Sequence, residues 1–242
     1  MGKLRVHNIE AQTGTNVDLG AAGDVVTLAS DSLQTNLYKD SGANTIFQSD
    51  GAGTLSNVNS VLVGNGPKLI TSSPGTGVTS IDFTSGIDST YDKYMFVILN
   101  LNPAVTEMFT VNFSSDSFSS WATKSTTSPR AYHYENDSSA GLSYWTAGDL
   151  AQSTSAQFLG EHTYADADGS LSWILYLYSP SSTTYVKQFM FRTNNMTNAG
   201  VPISMDMLGS GYCNTTSAIN SVRFALAGGG AFDGTVKMYG IS

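Results

Sequence analysis

Residues Thr79–Phe113 read TSIDFTSGIDSTYDKYMFVILNLNPAVTEMFTVNF, and the apolar runs in this stretch decide the fold class. Thr79–Phe83 alternates around Ile81 and Phe83. Tyr94–Leu101 is an unbroken apolar run, the pattern of a central strand buried on both faces. Thr106–Phe113 alternates again, with Phe109, Val111 and Phe113 opposite Met108, Thr110 and Asn112. Asn102-Pro103-Ala104 separates the last two runs as a turn. Alternation of period two marks strands, and no window carries a helical period over helical length.

The same pattern continues toward the C-terminus. Arg130–Tyr134, Leu142–Trp145, Ser155–Glu161, Leu171–Tyr178, Tyr185–Arg192, Ile203–Tyr212, Ser221–Leu226 and Thr235–Gly240 read as further strands. Asp168-Gly169 and Asp233-Gly234 read as tight turns. Many short strands without helices predict an all-β head, a two-sheet sandwich of jelly-roll type over 78–242.

The N-terminal region differs. Val17, Leu19, Val25, Val26, Leu28, Leu33, Leu37, Ile46, Phe47 and Leu55 are spaced by Gly-, Asp-, Asn- and Ser-rich turns. Tyr38 and Phe47 are its only aromatics, too little apolar bulk for a closed core on so short a segment. Such a segment either stays loose or borrows its core from identical copies; the second reading predicts an extended β-stem wound from three chains over 13–65. Gly2–Gln12, with Leu4, Val6 and Ile9 in alternation, reads as an attachment peptide within 1–12. The Pro/Gly/Ser-rich stretch 66–77 reads as a linker to the head.

Composition narrows the function. The 242 residues hold only 12% charged side chains, with a formal net charge of -8. No Lys/Arg cluster exists, which argues against nucleic acid and against anionic membranes as partners. Cys213 is the only cysteine, so no intrachain disulfide forms and a cytosolic assembly site is acceptable. The N-terminus lacks the apolar core of a secretory signal, and no apolar run reaches transmembrane length, so no membrane insertion is expected.

No nucleophile elbow, phosphate-binding loop or dinucleotide fingerprint is present, and no catalytic role or cofactor is assigned. Asp166-Ala-Asp168-Gly169 departs from the calcium-loop pattern, because its Gly comes early and the closing Glu is missing. His133, Glu135, Glu161 and His162 would hold a metal only if their strands were adjacent; alternating polar residues on a half-exposed strand are the commoner case, and no metal site is assigned. The stretch from Phe118 to Trp145 is the best binding candidate. There Trp121, Tyr132, Tyr134, Tyr144 and Trp145 stand among Ser, Thr and Asn, rings that stack on sugars or fill a core or an interface.

Ile70–Pro103, ITSSPGTGVTSIDFTSGIDSTYDKYMFVILNLNP, resembles a module of structural proteins from tailed bacteriophages, many of marine and cyanobacterial hosts. Val222–Ser242, VRFALAGGGAFDGTVKMYGIS, is similar to that module's closing strand, and the segment before Ile70 to phage-fibre stems. The resemblance implies a virion surface protein, homotrimeric, joined to other virion proteins through its N-terminal segment. It carries no catalytic motif. The expected function is a fibre or spike subunit that displays the sandwich for host attachment, with a host-surface glycan as partner. A capsid decoration (cement) protein is the alternative within the same class. A carbohydrate-active enzyme is the alternative outside it, because paired catalytic carboxylates need no local motif.

Overall fold

The computed structural model describes residues 37–39, 45–49, 52, 55–56, 66–198 and 200–242. The chain divides into two compact units, Met1–Val63 and Gly64–Ser242. In the first, β1 (Leu37–Lys39), β2 (Thr45–Ser49) and β3 (Leu55–Ser56) form a small antiparallel sheet. Its register pairs Tyr38 with Phe47 and shifts after Tyr38. The segment 1–12, expected to be an attachment peptide, and the apolar positions Val17 to Leu33 lie outside the described residues.

The second unit is built from two antiparallel sheets, with no helix among the described residues. β4 (Lys68–Val78), β6 (Lys93–Pro103), β8 (Lys124–Thr127), β9 (Pro129–Tyr134), β10 (Ala140–Tyr144), β12 (Leu171–Tyr178), β13 (Lys187–Asn198), β14 (Pro202–Cys213) and β16 (Phe232–Ile241) form the larger. Its order is β10-β9-β14-β13-β12-β6-β16-β4, with β8 pairing further along β14. β5 (Ser80–Phe83), β7 (Phe109–Ser114), β11 (Gln157–Phe158) and β15 (Ser221–Leu226) form the smaller, in the order β11-β7-β15-β5. The last two strands close both sheets: β15 lies between β5 and β7, and β16 between β4 and β6.

The core lies between the sheets. Tyr94, Phe96 and Ile98 of β6 and Trp173, Leu175 and Leu177 of β12 point inward from the larger sheet. Ile81, Phe83, Phe109, Val111, Phe113, Val222 and Phe224 answer them from the smaller. Rings meet across the gap, Phe109 with Trp173 at 4.5 Å, Phe113 with Phe189 at 4.8 Å and Phe83 with Phe96 at 5.3 Å. Full burial of one such ring stabilises the fold by about 1.5–3 kcal/mol.

The larger sheet overhangs the smaller. On the inner face of that extension, Ile203, Met205 and Met207 of β14 form a second, smaller apolar cluster. Phe191 opposes Gly209 across β13 and β14, and its ring lies where a β-carbon on Gly209 would stand. Glycine there lets a large ring lie against the neighbouring backbone.

The structure corrects several expectations. The segment 66–77 is not a linker, because Lys68–Val78 is edge strand β4, hydrogen-bonded to β16. An edge strand tolerates the Pro74 and Gly75 that suggested a linker. β6 is not buried on both faces: Tyr94, Phe96 and Ile98 are fully buried, while Leu99 is 41% exposed and Met95 and Val97 are half-buried. Asp233-Gly234 is no tight turn. It lies inside β16 at a register shift against β6, where Gly234 takes φ 150° and a β-carbon on it would stand 3.0 Å from the Leu101 α-carbon. Asp168-Gly169 closes no hairpin either, since the strands flanking it, β11 and β12, belong to different sheets. Asn102 Nδ2 pins that loop by donating to the carbonyls of Asp166 and Gly169.

Candidate functional site

The outer face of the smaller sheet holds a groove of about 570 Å³. Strand alternation supplies its floor: Thr110 and Asn112 of β7 and Arg223 and Ala225 of β15 point away from the core. Trp121 and Phe158 form walls, with Thr154 and Ser155 beside them.

Asn112 is oriented from beneath. Lys124 Nζ, fully buried, donates to Asn112 Oδ1 at 2.6 Å and to the Ala122 carbonyl at 2.8 Å. The Phe113 amide donates to the same Oδ1, and Asn112 Nδ2 donates to the Thr154 carbonyl in the wall. Burial pushes the Lys124 ammonium down to about 8.

Arg223 brings a guanidinium to the groove but little net charge. Its Nε and Nη2 donate to the two oxygens of Asp82 at 2.8 and 2.6 Å, a bidentate pair across β15 and β5. The guanidinium also lies over the Phe118 ring at 4.5 Å and the Trp121 ring at 5.5 Å. Asp82, Arg223 and the two rings therefore make one stacked unit beside the groove.

The loop that carries Phe118 and leads into Trp121, Ser114-Ser-Asp-Ser-Phe-Ser-Ser120, is tightly determined. Asp116 accepts from the Ser114 hydroxyl and from the Ser120 hydroxyl and amide. These bonds, the Ser120 hydroxyl first, hold its carboxyl below the usual range. The Phe118 amide donates to Ser114 Oγ at 2.9 Å. Ser117 and Phe118 both adopt left-handed backbone, φ 57° and 74°. A bulky residue pays for that conformation only where its surroundings fix it. Here the fixed ring is the one that lies under the Arg223 guanidinium and, tilted by 41°, against Trp121 5.4 Å away.

The five aromatic residues read from the sequence divide among three places. Trp121 alone lines the groove. Tyr132, Tyr134 and Trp145, half-buried, pack over Ile203, Met205 and Met207 inside the overhang. Trp145 is one ring removed from the groove, 5.9 Å from Phe158, with Arg130 over its indole at 5.9 Å. Tyr144 stands on the opposite face, with its hydroxyl donating to Asp149 at 2.7 Å. Thr110, Asn112, Phe158 and Arg223 escaped sequence reasoning, and only the Ser/Asp-rich loop before Trp121 signalled a built feature.

His133 faces Asp137 at 3.2 Å, and Glu161 pairs with Arg130, so the histidine–glutamate grouping does not assemble. Among the described residues no cluster of three metal-ligating side chains occurs. No family model matches the chain, and no curated protein or solved structure matches it.

Proposed function

We propose that the chain is a virion structural protein of the tailed-phage type, a fibre or spike subunit whose sandwich engages a neutral, hydroxyl-rich surface ligand such as a host glycan. The observation that carries this reading is the groove on the smaller sheet. It joins an indole wall to Thr, Ser and Asn groups, and its one cation is already matched by Asp82. Sugar rings present apolar faces and hydroxyl edges, which such a surface meets by stacking and by hydrogen bonding. A chain of net charge -8 would repel anionic polymers.

The jelly-roll reading of the sandwich is supported by strand order. Strands β4, β16, β6 and β12 run side by side in one sheet and β5, β15, β7 and β11 in the other. Successive strands cross between the two sheets, and β8–β10 and β13–β14 are insertions that extend one of them. The homotrimer reading is supported by the apolar poverty of 13–65 against the aromatic-rich remainder.

The test is saturation-transfer NMR on the full chain against a panel of neutral hexose and N-acetylhexosamine oligosaccharides, paired with gold-labelled antibody on intact virions. Binding that Trp121→Ala reduces at least tenfold, with little dependence on salt, supports the reading. Label over the capsid shell together with no sugar contact would replace it with the decoration protein.

A further inference from the structure

The outer face of the larger sheet is an apolar surface graded in charge from one edge to the other. Pairing register places Lys237, Val97, Ile174, Arg192 and Leu208 in one row across β16, β6, β12, β13 and β14. Tyr239, Met95, Tyr176, Met190 and Ser210 make the next row. Ile174 is 40%, Met190 45% and Leu208 57% exposed. Hollows of about 490, 320 and 440 Å³ lie along this face, from Pro74 and Leu99 through Ile174 to Leu208. A contiguous apolar surface of this kind marks an interaction site.

Charge decides what covers it. Arg192 on this face is neutralised by Asp206 at 2.7 Å. Lys93 and Lys237 sit on this face, on β6 and β16 at one side of the sheet. Neither makes an ion pair among the described residues, and Lys93 lies over the Tyr176 ring at 5.4 Å. The far edge of the same sheet is the β9–β10 hairpin. Its turn carries Glu135 and Asp137, and its outward residues Leu142 and Tyr144 are 81% and 49% exposed. One edge thus offers an apolar surface with unpaired cations. The other offers exposed apolar side chains with acids.

We propose that these two surfaces are the halves of a head-to-tail contact between copies of this chain, the β9–β10 hairpin of one copy seated on the Met95–Val97–Leu99 side of the next. A heterologous contact of this kind closes into a ring when its rotation permits, so the proposal rests on, and locates, the trimer put forward above. Opposite charges steer the two surfaces together, and like charges oppose a copy meeting its own patch.

The experiment is disulfide trapping in the full chain under copper–phenanthroline oxidation, with sedimentation equilibrium in parallel. Cys213 is buried, so the background is silent. Val97→Cys with Leu142→Cys on one chain is expected to give covalent trimers on non-reducing gels. Either substitution alone is expected to give none, and mixing the two single variants to give covalent dimers. Reversing Lys93 and Lys237 to Glu is expected to weaken association at least tenfold, and adding Glu135→Lys and Asp137→Lys to restore it. A trimer mass with no trapping and no response to charge reversal overturns this contact while leaving the trimer standing. Trapping by Val97→Cys alone overturns it in favour of a face-to-face dimer. A monomer mass removes the trimer reading as well.

Discussion

The larger sheet has two halves that solve the same problem with different means. Where β4, β16, β6 and β12 face the smaller sheet, rings interlock from both sides, as Phe96 does with Phe83 and Phe224. Where β14, β9 and β10 overhang it, Ile203, Met205 and Met207 are covered by Tyr132, Tyr134 and Trp145 from the sheet's own strands and loop. Two opposed layers can close a dry core. A single sheet must fold its own aromatic side chains over its face, and flexible methionines fill what irregular space remains.

The comparison predicts unequal losses. Phe96→Ala or Phe224→Ala should lower the unfolding free energy by about 3–5 kcal/mol, because the site is fully enclosed and cannot collapse. Met205→Ala should cost about 2 kcal/mol, the low end for such truncations, because Tyr132 lies directly across the strand pair and can settle into the space. Urea denaturation of the three variants reads both. The one-sidedness of β6 adds a sharper contrast. Ile98→Asp would bury an unpaired charge and should prevent folding, whereas Val97→Asp lies on the half-open face and should leave a cooperative transition. Equal losses at Phe96 and Met205, or equal damage at positions 97 and 98, would erase the distinction between the two halves.

Strands that bury a full apolar face were legible in the sequence. Leu171–Tyr178 and Ser221–Leu226 match β12 and β15 residue for residue, because an inward side chain recurs at every second position. The polar strands were not legible. β8 is Lys-Ser-Thr-Thr and β4 contains Ser-Ser-Pro-Gly-Thr-Gly, and both owe their strand conformation to a partner, β14 or β16. That information lies far away in the chain. The groove was hidden for the same reason. Thr110 and Asn112 look like the polar side of an ordinary strand until β15 brings Arg223 beside them. Trp121, which lines the groove, stands out in the sequence because an aromatic among Ser and Thr invites a binding reading. Tyr132 and Tyr134 answered the same description, yet they cover Met205 and Met207.

The two halves meet at an unusual row, Lys124, Cys213 and Lys187, aligned across β8, β14 and β13 and all fully buried. The lysines end on oxygens without an ion pair among the described residues. Lys187 Nζ donates to the carbonyls of Tyr185 and Thr215. Burial lowers Lys124 from 10.5 to about 8 and raises Cys213 from 9.0 to about 12. The lysine contribution is absent below about 8 and grows as pH rises toward 10.5, because the unfolded chain then binds the extra proton. The thiol contribution is full below 9.0 and is lost as pH rises toward 12. Stability should therefore rise between pH 8 and 9 by about 1 kcal/mol, hold roughly level while the two oppose each other, and fall at higher pH. Lys124→Met should abolish most of the early rise. Urea midpoints that stay flat or decline between pH 8 and 9 in the unaltered protein would show that the row does not titrate with folding.

The smallest expected effect concerns the inner face of β13, which turns polar as it leaves the ring-lined core. After Phe189 and Phe191 come Thr193 and Asn195, both buried. Thr193 Oγ1, Asn195 Oδ1 and the Trp173 indole nitrogen have no hydrogen-bond partner among the described residues. An unpartnered buried hydroxyl costs its desolvation without return, so removing it should be neutral or favourable. Thr193→Val keeps the shape and the β-branching and should shift stability by less than about 1 kcal/mol, toward a higher melting temperature. Phe191→Val, two residues earlier on the same face, should by contrast cost about 2 kcal/mol, since its ring rests on Gly209 and no other group can fill that place. Calorimetry on the pair decides the matter. A Thr193→Val loss as large as that of Phe191→Val would mean that the hydroxyl holds this end of the sheet through a partner, and that the polar end of β13 is as much a part of the core as the ring-lined end.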